Sequence, residues 1–339
     1  MIRILGIGGG SGLPVLLRGL RQLAQAGGAG QPEIGISALV CITDNGGSSG
    51  LLREELRIPA VGDLRNCLVA LAGRPSPLVD LFQHRFRSSN GLDGHSLGNL
   101  IVAGLCQTTG SLHQALSVAS QLLDTGGRVL AVSDRPLVLC AELADGAVAR
   151  GERQIASAGL PIRRLWLEPE QFQVSQEALE AVAGADTIVL GPGSLYTSIL
   201  PNLLPPAMAA AIRKSPALKM YVCNLMTQAG ETRGFTAADH LRVVESYLGA
   251  GVIDVCLLNS TPIGGRQQHE YFQAGARVVP SDAEEIAGMG AVPVSADLID
   301  SDEPRVRHDA LKLARLVVSL TQGALRARDI VCGQGLIAA

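Results

Sequence analysis

Four turns rich in glycine and small polar side chains adjoin apolar runs of this sequence, and they constrain its fold more than any other feature. They are residues 6–12, 43–50, 93–99 and 191–198. Glycine lets a backbone come close to a ligand, and successive amides in such a turn can point at an anion. Turns of this kind on strand ends would meet at one edge of a parallel sheet, where open α/β sheets bind ligands. The repetition therefore predicts a shared site for a phosphate-bearing ligand.

Segments typical of strands and helices alternate along most of the chain. Apolar runs predict strands at residues 2–7, 34–42, 187–190, 219–223 and 254–258. Apolar residues at helical spacing predict helices near residues 11–26, 64–72, 96–109, 112–123, 176–183, 205–214, 237–248 and 307–322. This alternation favours an α/β fold with a mostly parallel sheet and helices on both faces.

Residues 128–169 break this rhythm with four short β-like runs. Asp145-Gly146 lies between two of them and is a signal for a two-residue hairpin. We expect a small antiparallel β insertion or sheet extension here, within a single α/β domain of residues 1–327. Residues 328–339 are expected to form a C-terminal tail.

The composition is that of a globular protein, with 47% apolar residues and 28 basic residues against 31 acidic ones. A net charge of −3 gives no general attraction to nucleic acid or to anionic membranes, so neither is expected as a partner. No stretch reaches the ~20 apolar residues of a membrane helix, and the apolar start is too short for a secretory signal. The cysteines are odd in number and form no C-x-x-C pair, which predicts reduced core residues of a cytoplasmic protein at 41, 67, 106, 140, 223, 256 and 332.

The first turn leaves a predicted strand and opens a predicted helix, which is the usual arrangement of a dinucleotide-binding site. Its ligand-binding candidates are Gly8, Gly9, Gly10, Ser11 and Gly12. The turn lacks a clean G-x-G-x-x-G pattern with an acid ~20 residues on, and no Gly-Lys-Ser/Thr of a P-loop follows. A tight structural turn is the alternative, but a nucleotide or phosphate role explains the run of small residues better.

The second turn carries the single acid of its stretch, Asp44, and a further acid, Asp63, follows another glycine. Together the two carboxylates could hold a Mg²⁺ ion that bridges diphosphate oxygens. Asp63 could equally be the N-cap of the helix that follows it. Arg53 could pair with phosphate or be a solvated surface residue. The ligand-binding candidates of this turn are Asp44, Asn45, Gly46, Gly47, Ser48 and Arg53.

The remaining candidates adjoin a helix start and two later strands. His95 stands beside small polar residues at the mouth of a helix, although a lone histidine is usually a packed or surface residue. The candidates are His95, Ser96, Asn99, Gly191, Gly193, Ser194, Tyr196, Asn224 and Thr227. The chain has no H-E-x-x-H motif, so it shows no zinc-protease site of that kind.

Six short strings occur in a recognisable order along the chain: GIGGGSGLP, TDNGGSSGLLR, GDLRN, GHSLGN, GPGSLYTS and NLMTQAGET. In this combination the chain resembles the YvcK-type gluconeogenesis factors, the bacterial branch of the CofD-like superfamily, over roughly residues 1–325. The resemblance implies a Rossmann-like three-layer α/β/α fold. It also implies a cytoplasmic protein that binds UDP-sugars and is needed for cell shape and for growth on gluconeogenic carbon sources. By position, Tyr271 and Arg307, with the two residues after Arg307, match the family's sugar-nucleotide contacts.

An enzymatic relative in this superfamily, 2-phospho-L-lactate transferase, moves a phospholactyl group from a guanosine diphosphate derivative to a deazaflavin and uses Mg²⁺. The transferase resembles this chain at Asp44-Asn45 but has two consecutive acids there. Loss of one carboxylate weakens divalent metal binding. The departure favours ligand recognition over catalysis.

Three hypotheses follow from these residues. The first is a regulatory protein that binds a UDP-sugar, and the second is a phospholactate-type transferase with Asp44 and Asp63 on Mg²⁺ and His95 nearby. The third, least favoured, is an NAD-binding oxidoreductase, because no acid is well placed after a second strand. The expected partner is a nucleotide-type small molecule, with NAD or GDP as alternatives, and self-association into a homo-oligomer stays open.

Overall fold

The computed structural model describes residues 1–27, 32–56, 58–87 and 91–335. Its strands are β1 Ile2–Gly8, β2 Ile34–Val40, β3 Arg128–Ala131, β4 Val138–Leu143, β5 Val148–Arg150, β6 Ile162–Glu168, β7 Thr187–Leu190, β8 Leu218–Val222, β9 Val255–Asn259 and β10 Val292–Ala296. Its helices are α1 Leu13–Ala26, α2 Gly47–Leu56, α3 Gly62–Leu71, α4 Pro77–Gln83, α5 Leu97–Thr109, α6 Leu112–Leu122, α7 Glu152–Ala158, α8 Gln176–Gly184, α9 Pro206–Lys214, α10 Ala237–Leu248, α11 Gly265–Gln273, α12 Ala283–Gly288 and α13 Ala310–Gly335. A π-helical turn, Leu195–Ile199, and a 3₁₀ turn, Leu200–Asn202, follow β7.

Seven strands form a parallel sheet in the order β10-β9-β8-β7-β1-β2-β3. The chain starts in the middle of this sheet, adds β2 and β3 on one side, and later adds β7 to β10 on the other. Ile4 of β1 lies opposite both Ile36 of β2 and Thr187 of β7. The strand order therefore reverses between β1 and β7, and such a switch point leaves a crevice at the carboxyl ends of the strands. The α/β prediction is confirmed.

Helix α1 packs on the sheet through leucines at helical spacing. Leu13, Leu16, Leu17 and Leu20 are fully buried, and each buried leucine contributes about 2 kcal/mol to folding. On the other side of this helix Gly19 meets the start of α13. A Cβ atom at Gly19 would lie only 1.8 Å from the carbonyl oxygen of Ala310, so glycine is required for this close approach.

A second sheet of three antiparallel strands, in the order β5-β4-β6, forms the insertion. The predicted turn at Asp145-Gly146 joins β4 to β5, with Gly146 at a φ of +85° and the Asp145 carboxylate accepting from the amide of Ala147. The antiparallel sheet begins at Val138, later than the predicted start of the insertion at residue 128. Strand β3 pairs with β2 in the parallel sheet instead, because a four-residue apolar run suits either sheet.

Two predicted elements have different bounds in the structure. The second glycine turn ends at Gly46, where α2 begins one residue later, and the helix predicted at residues 307–322 begins at Ala310. Helix α13 then continues to Gly335, past the predicted end of the domain at residue 327. That domain boundary stays a prediction.

The six cysteines whose side chains the structure describes are buried and unpaired, as predicted. Cys332 has a side chain outside the described set. Across the described ranges, no single helix has the length and apolar character needed to cross a membrane. One pair, Leu195–Asn202 with Pro206–Lys214, meets that test jointly but is bent by 77°.

Candidate functional site

Two glycine turns meet at the switch point, one after β1 and one after β7. A Cβ atom at Gly12 would lie 2.3 Å from the carbonyl oxygen of Pro192, so the turns touch and only glycine leaves room for the contact. Gly10 has a φ of +62°, a conformation that glycine adopts readily. The sequence places these turns together because both follow parallel strands that are neighbours in the sheet. They form the floor of the candidate site.

A carboxylate stands directly behind the first turn. Asp63, at the start of α3, accepts a 2.5 Å hydrogen bond from the amide of Gly10, and a Cβ at Gly9 would come within 2.6 Å of the same carboxylate. Burial and the nearby charge of Asp44 raise the pKa of Asp63 to about 6. Asp63 therefore binds the amide of Gly10, which is one of the amides that the sequence assigned to a phosphate.

The turns open into a cleft of about 220 Å³. Its other walls come from the segment after β8, from α11 and from the segment that precedes α13. The predicted ligand-binding residues that line it are Gly9, Gly10, Ser11, Gly12, Gly193, Ser194, Asn224, Thr227, Tyr271 and Arg307. Four turns were expected at one site, and two of them, together with these later segments, form this cleft.

His308 presents an unpartnered nitrogen among the residues that line the cleft. Its imidazole hydrogen-bonds to the backbone of Cys223, while Nε2 is buried with no partner. Burial lowers the pKa of His308 to about 4, so the ring is neutral at neutral pH. Since the bond to a backbone carbonyl uses the proton of the other ring nitrogen, Nε2 is left as a hydrogen-bond acceptor.

Gln228 supplies a second buried acceptor to the same cleft. Its Nε2 donates to Ser194 Oγ at 2.7 Å, and its backbone amide donates to Thr232 Oγ1 at 2.9 Å. These bonds hold the side chain in place, yet its Oε1 is buried without a partner. Buried polar atoms are normally hydrogen-bonded, and the N–H or O–H donors of a ligand would satisfy two acceptors of this kind.

Arg307 is the one cationic side chain among the described residues that line the cleft, because His308 is neutral. It makes no side-chain ion pair with the described part of the chain. On the same wall, the Tyr271 hydroxyl donates to the carbonyl of Val306 at 3.3 Å. The cleft thus combines a free guanidinium with backbone turns and two buried acceptors.

Ser48, His95 and Asn99 lie away from the cleft, in a buried polar network between α2 and α5. The hydroxyl of Ser48 lies 3.2 Å from His95 Nδ1 and accepts from Asn99 Nδ2 at 3.3 Å and from the Ser96 amide at 3.3 Å. Asn99 Oδ1 in turn accepts from Arg65 Nε at 3.2 Å. The network satisfies these side chains internally, and none of them lines the cleft.

Asn45 is engaged with the start of α7. Its Oδ1 accepts from the amide of Arg153 at 3.2 Å, and a Cβ at Gly151 would overlap its Nδ2. Asp44 accepts from the amide of Gly46 at 2.8 Å. The predicted residues that do not line the cleft are Gly8, Asp44, Asn45, Gly46, Gly47, Ser48, Arg53, His95, Ser96, Asn99, Gly191 and Tyr196. Their roles toward a ligand stay predictions.

Two buried glutamates near the site were missed by sequence reasoning. Glu152 accepts from Thr43 Oγ1 at 2.7 Å, and burial, followed by the charges of Asp63 and Asp44, raises its pKa well above the usual value. Glu231 accepts from the amide of Tyr196 and from Thr197 Oγ1, and burial raises its pKa as well. No pattern in the sequence sets these two acids apart from surface glutamates.

Two described carboxylates near the first turn, those of Asp44 and Asp63, could hold a divalent metal ion. Among the residues that the structure describes, no group of three or more His, Cys, Asp or Glu side chains could hold a metal ion. The charge of Asp44 nevertheless raises the pKa of Asp63, and a cation between them would relieve that repulsion. Two carboxylates fit the way Mg²⁺ binds beside phosphate oxygens.

Comparison with known protein families shows which family the chain belongs to. The model described as 2-phospho-L-lactate transferase CofD matches residues 4–299. The chain belongs to the CofD family. The resemblance inferred from the six sequence strings is thereby confirmed.

Curated members of the CofD family similar to this chain carry the name gluconeogenesis factor. The protein of Bacillus subtilis strain 168 is 44% identical over 313 residues, which cover 92% of this chain and 96% of that protein. The protein of Halalkalibacterium halodurans is 43% identical over 311 residues, covering 92% and 94%. A crystal structure of a UPF0052 family member from Bacillus halodurans, 42% identical, covers 93% of this chain and 99% of its own with a TM-score of 0.88. The CofD-like fold is therefore shared along nearly the whole length.

Proposed function

We propose that this CofD-family protein is a regulatory protein that binds a nucleotide sugar, with UDP-sugars as the favoured ligands. The observation that carries the proposal is the pair of unpartnered acceptors, His308 Nε2 and Gln228 Oε1, in a cleft that also holds a free guanidinium. An inorganic phosphate offers few donors, and acceptors would repel its oxygens. A ligand that joins phosphates to a sugar and a base offers both kinds of group.

The cleft divides into two chemically different parts. Arg307 and the amides of the two touching turns suit the negative diphosphate, since guanidinium groups and helix-start amides both bind phosphate oxygens. His308 and Gln228 suit sugar hydroxyls or the N–H of a uracil ring, because a neutral acceptor gains most from a donor it would otherwise lack. This division supports a nucleotide sugar over a simple phosphate ester.

The relatives' name supports the physiological part of the proposal. Gluconeogenesis factors similar to this chain over more than nine-tenths of its length suggest the same process here. We propose that the protein acts in the cytoplasm, where its buried free cysteines stay reduced. There it would link carbon supply to cell shape during growth on gluconeogenic carbon sources.

Isothermal calorimetry tests the binding step. We expect UDP-N-acetylglucosamine or UDP-glucose to bind more tightly than GDP or NAD, with and without Mg²⁺. Arg307→Gln should weaken UDP-sugar binding at least tenfold, whereas Arg305→Gln, an exposed arginine two residues away, should leave it unchanged. No UDP-sugar binding at millimolar ligand would refute the proposal.

A second candidate function, group transfer from a guanosine diphosphate derivative, is favoured by the paired carboxylates. Asp44 and Asp63 would hold a Mg²⁺ ion, which supplies charge neutralisation to a diphosphate. The family model carries the name of such a transferase. Turnover of a guanosine diphosphate donor that requires Mg²⁺ and is lost in Asp44→Asn would support it. Tight binding without turnover in either metal condition would count against it.

A further inference from the structure

A second cavity, of about 570 Å³, lies beside the cleft between α1 and the α3–α4 region. It shares Ser11 and Arg307 with the cleft but is otherwise built from different residues. Helix α1 presents its solvent side to this cavity, while its leucines face the sheet. The proposal that follows goes beyond nucleotide-sugar binding and concerns this cavity alone.

The charge of this cavity is strongly one-sided. Among the described residues that line it, Asp80 is the single acid, against five arginines: Arg18, Arg21, Arg65, Arg74 and Arg307. Arg65 bonds to Asn99. The other four form no ion pair with any described residue. The carboxylate of Asp124 lies near Arg21, beside Gly73. Positive charges that line one cavity repel each other, and a bound anion relieves that cost.

Arg21 is held in place without a polar partner. Its guanidinium lies against Gly126, where a Cβ atom would come within 1.9 Å of Nη1 and 2.1 Å of Cζ. The Nε atom is buried and has no hydrogen-bond partner. The contact with Gly126 therefore fixes the Arg21 guanidinium in the wall of the cavity.

We propose that this cavity binds a small metabolite that carries two or more phosphate groups. A single phosphate has a charge of about −2 near neutral pH, which leaves the guanidinium groups of Arg18, Arg21 and Arg74 only partly neutralised even when Arg307 serves the cleft. Two phosphates balance them more fully, and each can be held by the forked N–H groups of an arginine. The cavity is also more than twice as large as the cleft, which suits a ligand larger than one phosphate.

Calorimetry with inorganic pyrophosphate and orthophosphate tests this proposal on the full-length protein. The test variant is Arg18→Gln with Arg74→Gln, two exposed arginines that lie outside the cleft. Its matched control is Arg163→Gln with Arg326→Gln, which makes the same change in net charge at exposed positions that line neither cavity. We expect pyrophosphate to bind at least tenfold more tightly than orthophosphate. The test variant should lose at least tenfold in pyrophosphate affinity, and the control should lose less than twofold.

Three results would overturn the proposal. Equal losses in the test and control variants would mean that only net charge matters. Equal affinities for pyrophosphate and orthophosphate would mean that the arginines attract any anion. Loss of pyrophosphate binding in Tyr271→Ala, but not in the Arg18/Arg74 variant, would place pyrophosphate in the cleft. UDP-sugar binding by the Arg18/Arg74 variant should match the parent, so failure here is distinct from failure of the nucleotide-sugar proposal.

Discussion

At the scale of single residues, the carboxyl group of Asp63 is the most informative group of the site. Burial behind the first glycine turn, followed by the charge of Asp44, raises its pKa from the ordinary 3.8 to about 6. A raised pKa means that the folded protein binds this proton more tightly than the unfolded chain. The contribution of Asp63 to the free energy of unfolding therefore falls by about 3 kcal/mol as pH rises from about 4 to about 6. His308, whose pKa is lowered to about 4, contributes in the opposite sense.

Asp63→Asn should remove this pH dependence, because an amide has no proton to lose and can still accept from Gly10. Urea unfolding at pH 4, 5, 6 and 7 measures the effect. Between pH 4 and 6 the free energy of unfolding of Asp63→Asn should rise relative to the parent by about 3 kcal/mol. Asp80→Asn, which changes an exposed aspartate on α4, should keep the slope of the parent. A slope unchanged by Asp63→Asn would show that Asp63 is not the titrating group. Glu152, Glu231 and Glu245 of α10, whose pKa values are also raised, would then be remaining sources.

Residue roles were only partly predictable. Small residues in the turns after β1 and β7 could be assigned to a site because glycine has few other reasons to recur there. Asn45 could not be placed, since its partner, the amide of Arg153, is 108 positions away in the chain. Glu152 and Glu231 resemble ordinary surface acids until the fold buries them.

At the scale of elements, the contact between two turns decides the shape of the cleft. The carbonyl of Pro192 stands where a side chain at Gly12 would be. Gly12→Ala should push the turns apart and weaken UDP-sugar binding at least tenfold. It should also destabilise the fold by about 1–3 kcal/mol, the usual cost of overpacking. Calorimetry and urea unfolding measure the two effects.

Gly8→Ala is the matched control for that prediction. A Cβ at Gly8 would lie 3.5 Å or more from its neighbours, an ordinary contact, and its binding should stay within threefold of the parent. Equal binding by both variants would show that the separation of the turns does not control the cleft.

Elements were predicted best where a continuous apolar run ended in a turn. Strands β1, β2, β7, β8 and β9 follow this rule, and their order along the chain indicated a parallel sheet. Helix α2 was missed because its first turn, Gly47-Ser48-Ser49-Gly50, has low intrinsic helix propensity. Ser48 and Ser49 take part in the buried bonds to α5 that stabilise this helix start in the fold.

At the scale of the whole molecule, helices α1 and α13 pack against each other. Gly19 of α1 and Ala310 of α13 approach so closely that a methyl group at residue 19 would overlap a backbone carbonyl. Gly19→Ala should therefore lower the free energy of unfolding by about 2 kcal/mol or more, despite the better helix propensity of alanine.

Gly104→Ala in α5 is the contrasting variant. Nothing lies within 4 Å of a Cβ at that position, so alanine should raise the free energy of unfolding by about 1 kcal/mol. Urea unfolding of the two variants beside the parent gives the comparison. A stabilising effect of Gly19→Ala would contradict the close packing of α1 on α13.

The architecture as a whole was predictable because alternating strands and helices leave few arrangements. The order of the strands was not, since nothing in the sequence says on which side of β1 the later strands are added. Strand β3 shows the limit, because only its pairing with β2 assigns it to the parallel sheet.

The packing of α1 on α13 also has a consequence for how the protein is made. The cleft joins the turn from Gly9 to Gly12, which follows β1, with Tyr271 and Arg307, which follow β9 much later along the chain. A nascent or prematurely terminated chain thus holds the glycine turns but lacks the opposite wall. A chain that has not yet been synthesised as far as Arg307 therefore has an incomplete cleft.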